Sequence, residues 1–175
     1  MERMTQVAAT ATGPEAAVTD PQAMEHQAME RVAARRRDGQ AGLPFCCLYH
    51  GGRRLAVGVA ELRAILTPGP VTPLPDAPPH LLGVIHWRGE VLPLLDGDQL
   101  LGPGAGAERF LVFENGGVPV AVRLRGGAAL THVAEEEVVA PEGMQVSAHT
   151  RAVFLHQGER VEVLEVAELL DAYRV

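Results

Sequence analysis

The side chains able to do chemistry are few, and their spacing does not suit it. Seven histidines (26, 50, 80, 86, 132, 149 and 156) are scattered along the chain. No His-x-x-x-His pair and no Cys-x-x-Cys occurs, so the spacings that aim two ligands at one metal are missing. Cys46 and Cys47 are adjacent. Neighbours in a strand point to opposite faces, so an intrachain disulfide is not expected and a reducing compartment is implied. Ser147 is the only serine and sits in no nucleophile-elbow pattern. Asp96-Gly97-Asp98 begins like a calcium loop, but the further ligands and the closing Glu do not follow. The stretch Gly102-Pro103-Gly104-Ala105-Gly106 lacks the strand-then-helix context of a phosphate cradle. No carboxylate pair can be given acid and base roles from spacing alone. The residues point away from an enzyme, and neither a metal nor a cofactor is expected.

Charge and composition narrow the partners. The 175 residues carry a formal net charge of −7, with 21% charged and 4% aromatic residues. All 15 basic residues are arginine, which reads as the mark of a GC-rich coding sequence. Phosphate recognition needs a clustered basic face with aromatics for stacking, so a nucleic-acid partner is not expected. The one basic run, Arg35-Arg36-Arg37, leads straight into Asp38-Gly39 and reads as a solvated helix end. Glu135-Glu136-Glu137 reads as a solvated face. No stretch approaches the roughly 20 apolar residues of a membrane span, and the first 20 residues lack a signal-peptide core. The expected location is cytoplasmic, without membrane insertion.

The elements that must position any site are short strands. Phe45–Tyr49 and Arg54–Val57 flank Gly51-Gly52, the signature of a tight hairpin. Val84–Trp87 and Glu90–Leu95 turn at Arg88-Gly89, Phe110–Phe113 and Val118–Leu124 at Asn115-Gly116-Gly117, and Ala152–Leu155 and Arg160–Leu164 at Gln157-Gly158. Pro93 and Pro119 within such runs suggest sheet edges or bulges. Val59-Ala60-Glu61-Leu62 and Val166-Ala167-Glu168-Leu169 each open a short amphipathic segment. Residues 1–42 differ: they carry no aromatic residue, and Gln22-Ala23-Met24-Glu25 recurs as Gln27-Ala28-Met29-Glu30. They read as a flexible, partly helical extension, with a partner-binding helix over 22–37 as the alternative. The fold class is mainly β with short helices, arranged as a pair of small barrels. The Gly-rich stretch 102–106 marks the expected boundary between lobes at 43–102 and 107–175.

The densest patterning lies in residues 71–102. Val71-Thr72-Pro73-Leu74-Pro75 is followed by Leu82-Gly83-Val84-Ile85, then Arg88-Gly89, then Val91-Leu92-Pro93-Leu94-Leu95-Asp96 and Leu100-Leu101-Gly102. This order resembles the signature of the CheW-like family, the adaptor domains of bacterial chemosensory arrays, with the wider likeness spanning roughly 43–175. Three positions depart from the family's pattern. Arg123-Leu124-Arg125 stands where the family ends its middle hairpin with Val-Asp, Ala64-Ile65 where it often carries Glu-Ile, and Trp87 where an aliphatic residue is common.

The resemblance implies two SH3-like β-barrels packed side by side and a non-catalytic adaptor. Its implied partners are the cytoplasmic tip of methyl-accepting chemoreceptors and the regulatory domain of a CheA-type histidine kinase, with recruitment to receptor arrays. The departures motivate a second reading, a divergent member that binds receptors without productively activating the kinase. A small-ligand or enzyme barrel is a third. Partner-binding candidates are Arg88, Gly89, Gly83, Ile85, Leu62, Ile65, Val71 and Leu74. Arg88 has two readings, a structural tie within the loops or a contact at a receptor-facing groove. Gly83 and Gly89 either permit a tight backbone or let a receptor helix come close. The apolar candidates divide between core and a hydrophobic patch for that helix, and Trp87 between core and anchor.

Overall fold

The computed structural model describes residues 42–173. The readings made for residues 1–41, the 22–37 helix among them, lie outside the described residues. The described chain forms β1 (Leu43–His50), β2 (Arg53–Gly58), β3 (Leu62–Leu66), β4 (Leu81–Trp87), β5 (Glu90–Asp96), helix α1 (Gly97–Leu101), β6 (Glu108–Asn115) and β7 (Val118–Arg125). These are followed by β8 (Ala128–Val133), a 3-10 turn (Glu135–Glu137), β9 (Thr150–His156), β10 (Glu159–Leu164) and helix α2 (Val166–Asp171).

All four hairpins expected from the sequence are present. Each closes on a two-residue turn whose central residues both have positive φ: Gly51-Gly52, Arg88-Gly89, Gly116-Gly117 and Gln157-Gly158. Such turns match the right-handed twist of the strands they join, which fixes register without further help. The prolines mark neither edge strands nor bulges, since β5 and β7 are both interior to the second sheet. The parallel β5–β7 ladder covers Leu94–Asp96 against Ala121–Arg123, so Pro93 and Pro119 lie just before it, where each strand has only its hairpin partner.

Two further expectations are corrected. The segment opening at Val59 is a turn leading into strand β3 and not a helix, because Leu62–Leu66 pairs with β6. The later echo at Val166 does form helix α2, with Val166, Leu169 and Leu170 buried. The lobes are also not the sequential stretches 43–102 and 107–175. One five-stranded sheet has the order β8-β1-β2-β10-β9, and the other β3-β6-β7-β5-β4. The chain starts the first sheet with β1 and β2, builds the whole second sheet, and returns to finish the first. The physical cause is the parallel pairing of β2 with β10, which only the far end of the chain can supply. Gly102–Gly106 is therefore a connection within the second sheet, between α1 and β6.

Three apolar cores result. A central one lies between the sheets and takes Cys46, Leu48, Leu55 and Val57 from one and Leu62, Leu95, Leu111, Phe113, Val122 and Leu124 from the other. Behind the first sheet, Phe45, Cys47, Ala56, Phe154, Val161 and Val163 pack together. Behind the second, Ile85, Leu92, Leu94, Phe110, Val112 and Ala121 do the same. Alternate residues of one strand thus serve two cores, as Cys46 and Cys47 illustrate. Both thiols are free, and burial pushes them up to about 12 and about 11.

Glu162 on β10 ties the first sheet to the loop before β9. Its Oε2 accepts from Arg53 at 2.9 Å, the Ser147 amide at 3.1 Å and the Thr150 hydroxyl at 3.0 Å. Burial alone would raise this carboxyl, but the Ser147, Thr150 and Arg53 donors outweigh it and hold it below its ordinary value.

Two outcomes follow from this architecture. A fragment of residues 43–102 lacks β6, β7, β8, β9 and β10 and will show no cooperative melt by circular dichroism, whereas the full chain will melt in one transition. Glu162→Gln will cost about 1.5–3 kcal/mol at neutral pH, the typical worth of hydrogen bonds to a charged group. A carboxyl lowered by folding stabilises above its unfolded pKa and loses that stabilisation as pH falls through its folded value. Thermal melts from pH 7 to pH 3 will therefore converge for wild type and Glu162→Gln at the acidic end.

Candidate partner-binding surface

The sequence candidates separate once they are placed. Arg88 and Gly89 form the tip of the β4–β5 hairpin, with φ of 51° and 83°. Arg88 is thus part of the turn itself and not a further residue of the extended strand. Because the turn bends back, the Arg88 guanidinium lies over the Trp87 ring, 4.8 Å from its centroid. Such stacking contributes about 0.5–1 kcal/mol where it is exposed, enough to bias the rotamer and not enough to lock it. Trp87 itself is half-buried against the core behind the second sheet. It is both packing and platform: one face holds the sheet and the other presents an arginine.

Gly83 is buried and its φ is 141°. The backbone of Thr72 pairs with Val84 there through two hydrogen bonds of 2.9 Å, and a Cβ on Gly83 would overlap the Thr72 carbonyl. The close approach that Gly83 permits is thus made by this chain's own segment. That segment puts Val71 and Leu74 on the surface beside β4, 36% and 42% exposed. Ile85 is 4% exposed and belongs to the core beneath.

Leu62 and Ile65 lie on β3, at the opposite edge of the sheet from β4. Leu62 is buried in the central core, and Ile65 packs against it. The structure therefore does not bring them into the group around Arg88. Val91, more than half exposed and paired with exposed His86, lies on the other face of the hairpin from Trp87. Sequence reading passed over Val91. Its signal was present in the alternation of β5, where Leu92 and Leu94 are buried while Val91 points out. The hairpin thus exposes an arginine-on-tryptophan tip on one face and His86 with Val91 on the other, with Val71 and Leu74 exposed on the segment beside β4.

Two of the residues that depart from the family pattern, Arg123 and Arg125, find partners within the chain. Arg123 reaches Asp96 at 2.7 Å and Asp98 at 3.5 Å. Arg125 reaches Asp98 at 3.1 Å and Glu108 at 3.1 Å. Asp96 also accepts the Asp98 amide at 3.0 Å and so caps α1. The two carboxylates that open like a calcium loop are thus neutralised by arginines. Among the described residues, no group of three or more His, Cys, Asp and Glu side chains is arranged to hold a metal. No described helix is long and apolar enough to cross a membrane. One depression, lined in part by Tyr49, Arg109, Arg125 and Gly126, is about the size of a water molecule.

Comparison with known proteins agrees with this geometry. The family model for the CheW-like domain matches residues 44–174. Protein FrzA of Myxococcus xanthus is 29% identical over 141 residues, covering 74% of this chain and 86% of FrzA. Chemotaxis protein CheW of Rhizobium meliloti (strain 1021) is 42% identical over 52 residues, 30% of this chain and 34% of that protein. The crystal structure of the scaffolding protein TtCheW from Thermoanaerobacter tengcongensis matches with a TM-score of 0.66. It does so at 13% identity, covering 73% of this chain and 92% of that one, which is a likeness of fold. With a family model running from β1 to the end of the described chain, and two interleaved five-stranded sheets that carry its signature hairpin, this chain belongs to the CheW-like domain family.

Proposed function

We propose that this protein is a non-catalytic adaptor of a bacterial chemosensory system. It couples the cytoplasmic tips of methyl-accepting chemoreceptors to the regulatory domain of a CheA-type histidine kinase, in the cytoplasm and within receptor arrays. The observation that carries the receptor half is the exposed Arg88 on its Trp87 platform, with exposed Val71 and Leu74 on the segment that pairs beside β4. A cation at the centre of an apolar surface suits an amphipathic helix that brings one acidic residue among its aliphatic ones. Gly83 and Ile85 contribute from below, by shaping the backbone and core on which that surface rests, while Leu62 serves the central core at the far edge of the sheet.

The reading of a divergent adaptor without kinase coupling loses part of its motive. Arg123 and Arg125 are engaged with Asp96, Asp98 and Glu108, so their departure from the family pattern is matched by partners within the chain. The small-ligand or enzyme reading would require a deep polar cavity with converging His and Asp side chains.

Arg88→Glu will weaken binding of a purified receptor tip at least tenfold, about 1.4 kcal/mol, while Tm stays within a degree or two. Kinase capture by the same variant will be retained. A loss of fold by circular dichroism would make Arg88 structural and remove it from the surface. Gly83→Ala behaves in the opposite way: stability drops by about 2 kcal/mol or more, because the Thr72 backbone must move.

A further inference from the structure

An apolar core holds two sheets together but is non-directional, so it resists separation better than sliding. Arg53 of β2 reaches the Leu101 carbonyl across the seam at 3.3 Å from a part-exposed position, and one fully buried polar side chain crosses there as well. His50 ends β1 in the first sheet and is 1% exposed. Its Nε2–H donates to the Gly102 carbonyl at 2.7 Å, in the α1–β6 connection of the second sheet. Its Nδ1 lies 3.4 Å from the Arg125 amide, at the end of β7, and accepts from it. The Arg125 carbonyl lies 3.3 Å from the same nitrogen, and an Asp98 oxygen lies 3.6 Å from Nε2. Asp98 in turn accepts the Gly104 amide at 2.9 Å, which holds the connection against the ring.

The backbones close in around this ring. A Cβ on Gly104 would overlap the His50 imidazole, and one on Gly126 would overlap the Tyr49 carbonyl. The Tyr49 amide donates to Gly127 at 2.9 Å, and the Gly126 amide to Ala107 at 2.8 Å. Three chain segments from both sheets therefore meet at one side chain that the receptor-facing surface does not use.

We propose that His50 is a positioning residue, a latch seated between Gly102, Gly104 and Arg125 that sets the angle between the two lobes. It keeps surfaces on separate lobes in one fixed relation, independently of which partners occupy them. The directional contacts supply what the central core cannot, resistance to shear.

The test uses the full chain with spin labels at Leu155→Cys on β9 and Val91→Cys on β5, both exposed sites on different lobes. Cys46 and Cys47 are buried with raised pKa values, which keeps them unlabelled. His50→Ala will broaden the inter-lobe distance distribution. It will also raise hydrogen exchange at the Gly104 and Arg125 amides roughly tenfold, with β6 and the core of β7 still protected. His50→Gln, which keeps a donor near the Nε2 position, will restore the narrow distribution. An unchanged distribution in His50→Ala overturns the latch, as does a uniform rise in exchange through both cores, which would make His50 a stability residue only. Failure of His50→Gln to rescue also counts against it. Should His50→Ala not fold, Gly104→Ala, which displaces the ring, is read by the same two measurements.

Discussion

Burial of the central strands on both faces is the constraint from which the rest of the molecule follows. β1, β2, β6 and β7 each send alternate side chains into the core between the sheets and into the core behind their own sheet. A strand so placed reads as a continuous apolar run and does not alternate with polar residues. It also leaves little room for polar side chains inside. The few that enter, His50, Asp96 and Glu162, are each held by several partners, as a buried polar group requires. Function is thereby displaced to turns and edges, where the chain is free to carry charge.

The arginines show how this displacement is managed. Arg123 and Arg125 extend from β7 to carboxylates of α1 and β6 and tighten the region where the sheets meet. Arg53 serves Glu162 at the first sheet's own loop. Arg88 differs in kind. It projects from a hairpin tip over an aromatic ring, with no carboxylate recorded against it, and remains available to one from outside. Chemically identical side chains thus divide between holding the fold and presenting it.

Much of this was legible in the sequence, for a local reason. Two-residue turns with glycine at the second position announce hairpins, and Gly51-Gly52, Arg88-Gly89, Gly116-Gly117 and Gln157-Gly158 all delivered them. β3 and β8 were harder. Both are edge strands, half-buried and without strict alternation, and β3 follows a stretch that reads as the start of a helix. The order of strands in the sheets was not legible, because the pairing of β2 with β10 joins residues about a hundred positions apart and leaves no local mark. Within the site, Ile85 is a contact candidate by sequence and proves to be core, since the sequence does not say which face of β4 is covered. Nor could the sequence show that Arg88 turns back onto Trp87, since that depends on the turn's positive φ.

The interleaved strand order also bears on how the protein is made. A ribosome releases β1 and β2 first, yet their parallel partner β10 emerges almost last. The second sheet, contiguous from β3 to β7, is complete in sequence while the first is still a lone hairpin with apolar residues on both faces. Sequence-distant closure of this kind is slow and exposes sticky intermediates. The interleaved order thus leaves closure of the first sheet waiting on the last strands of the chain.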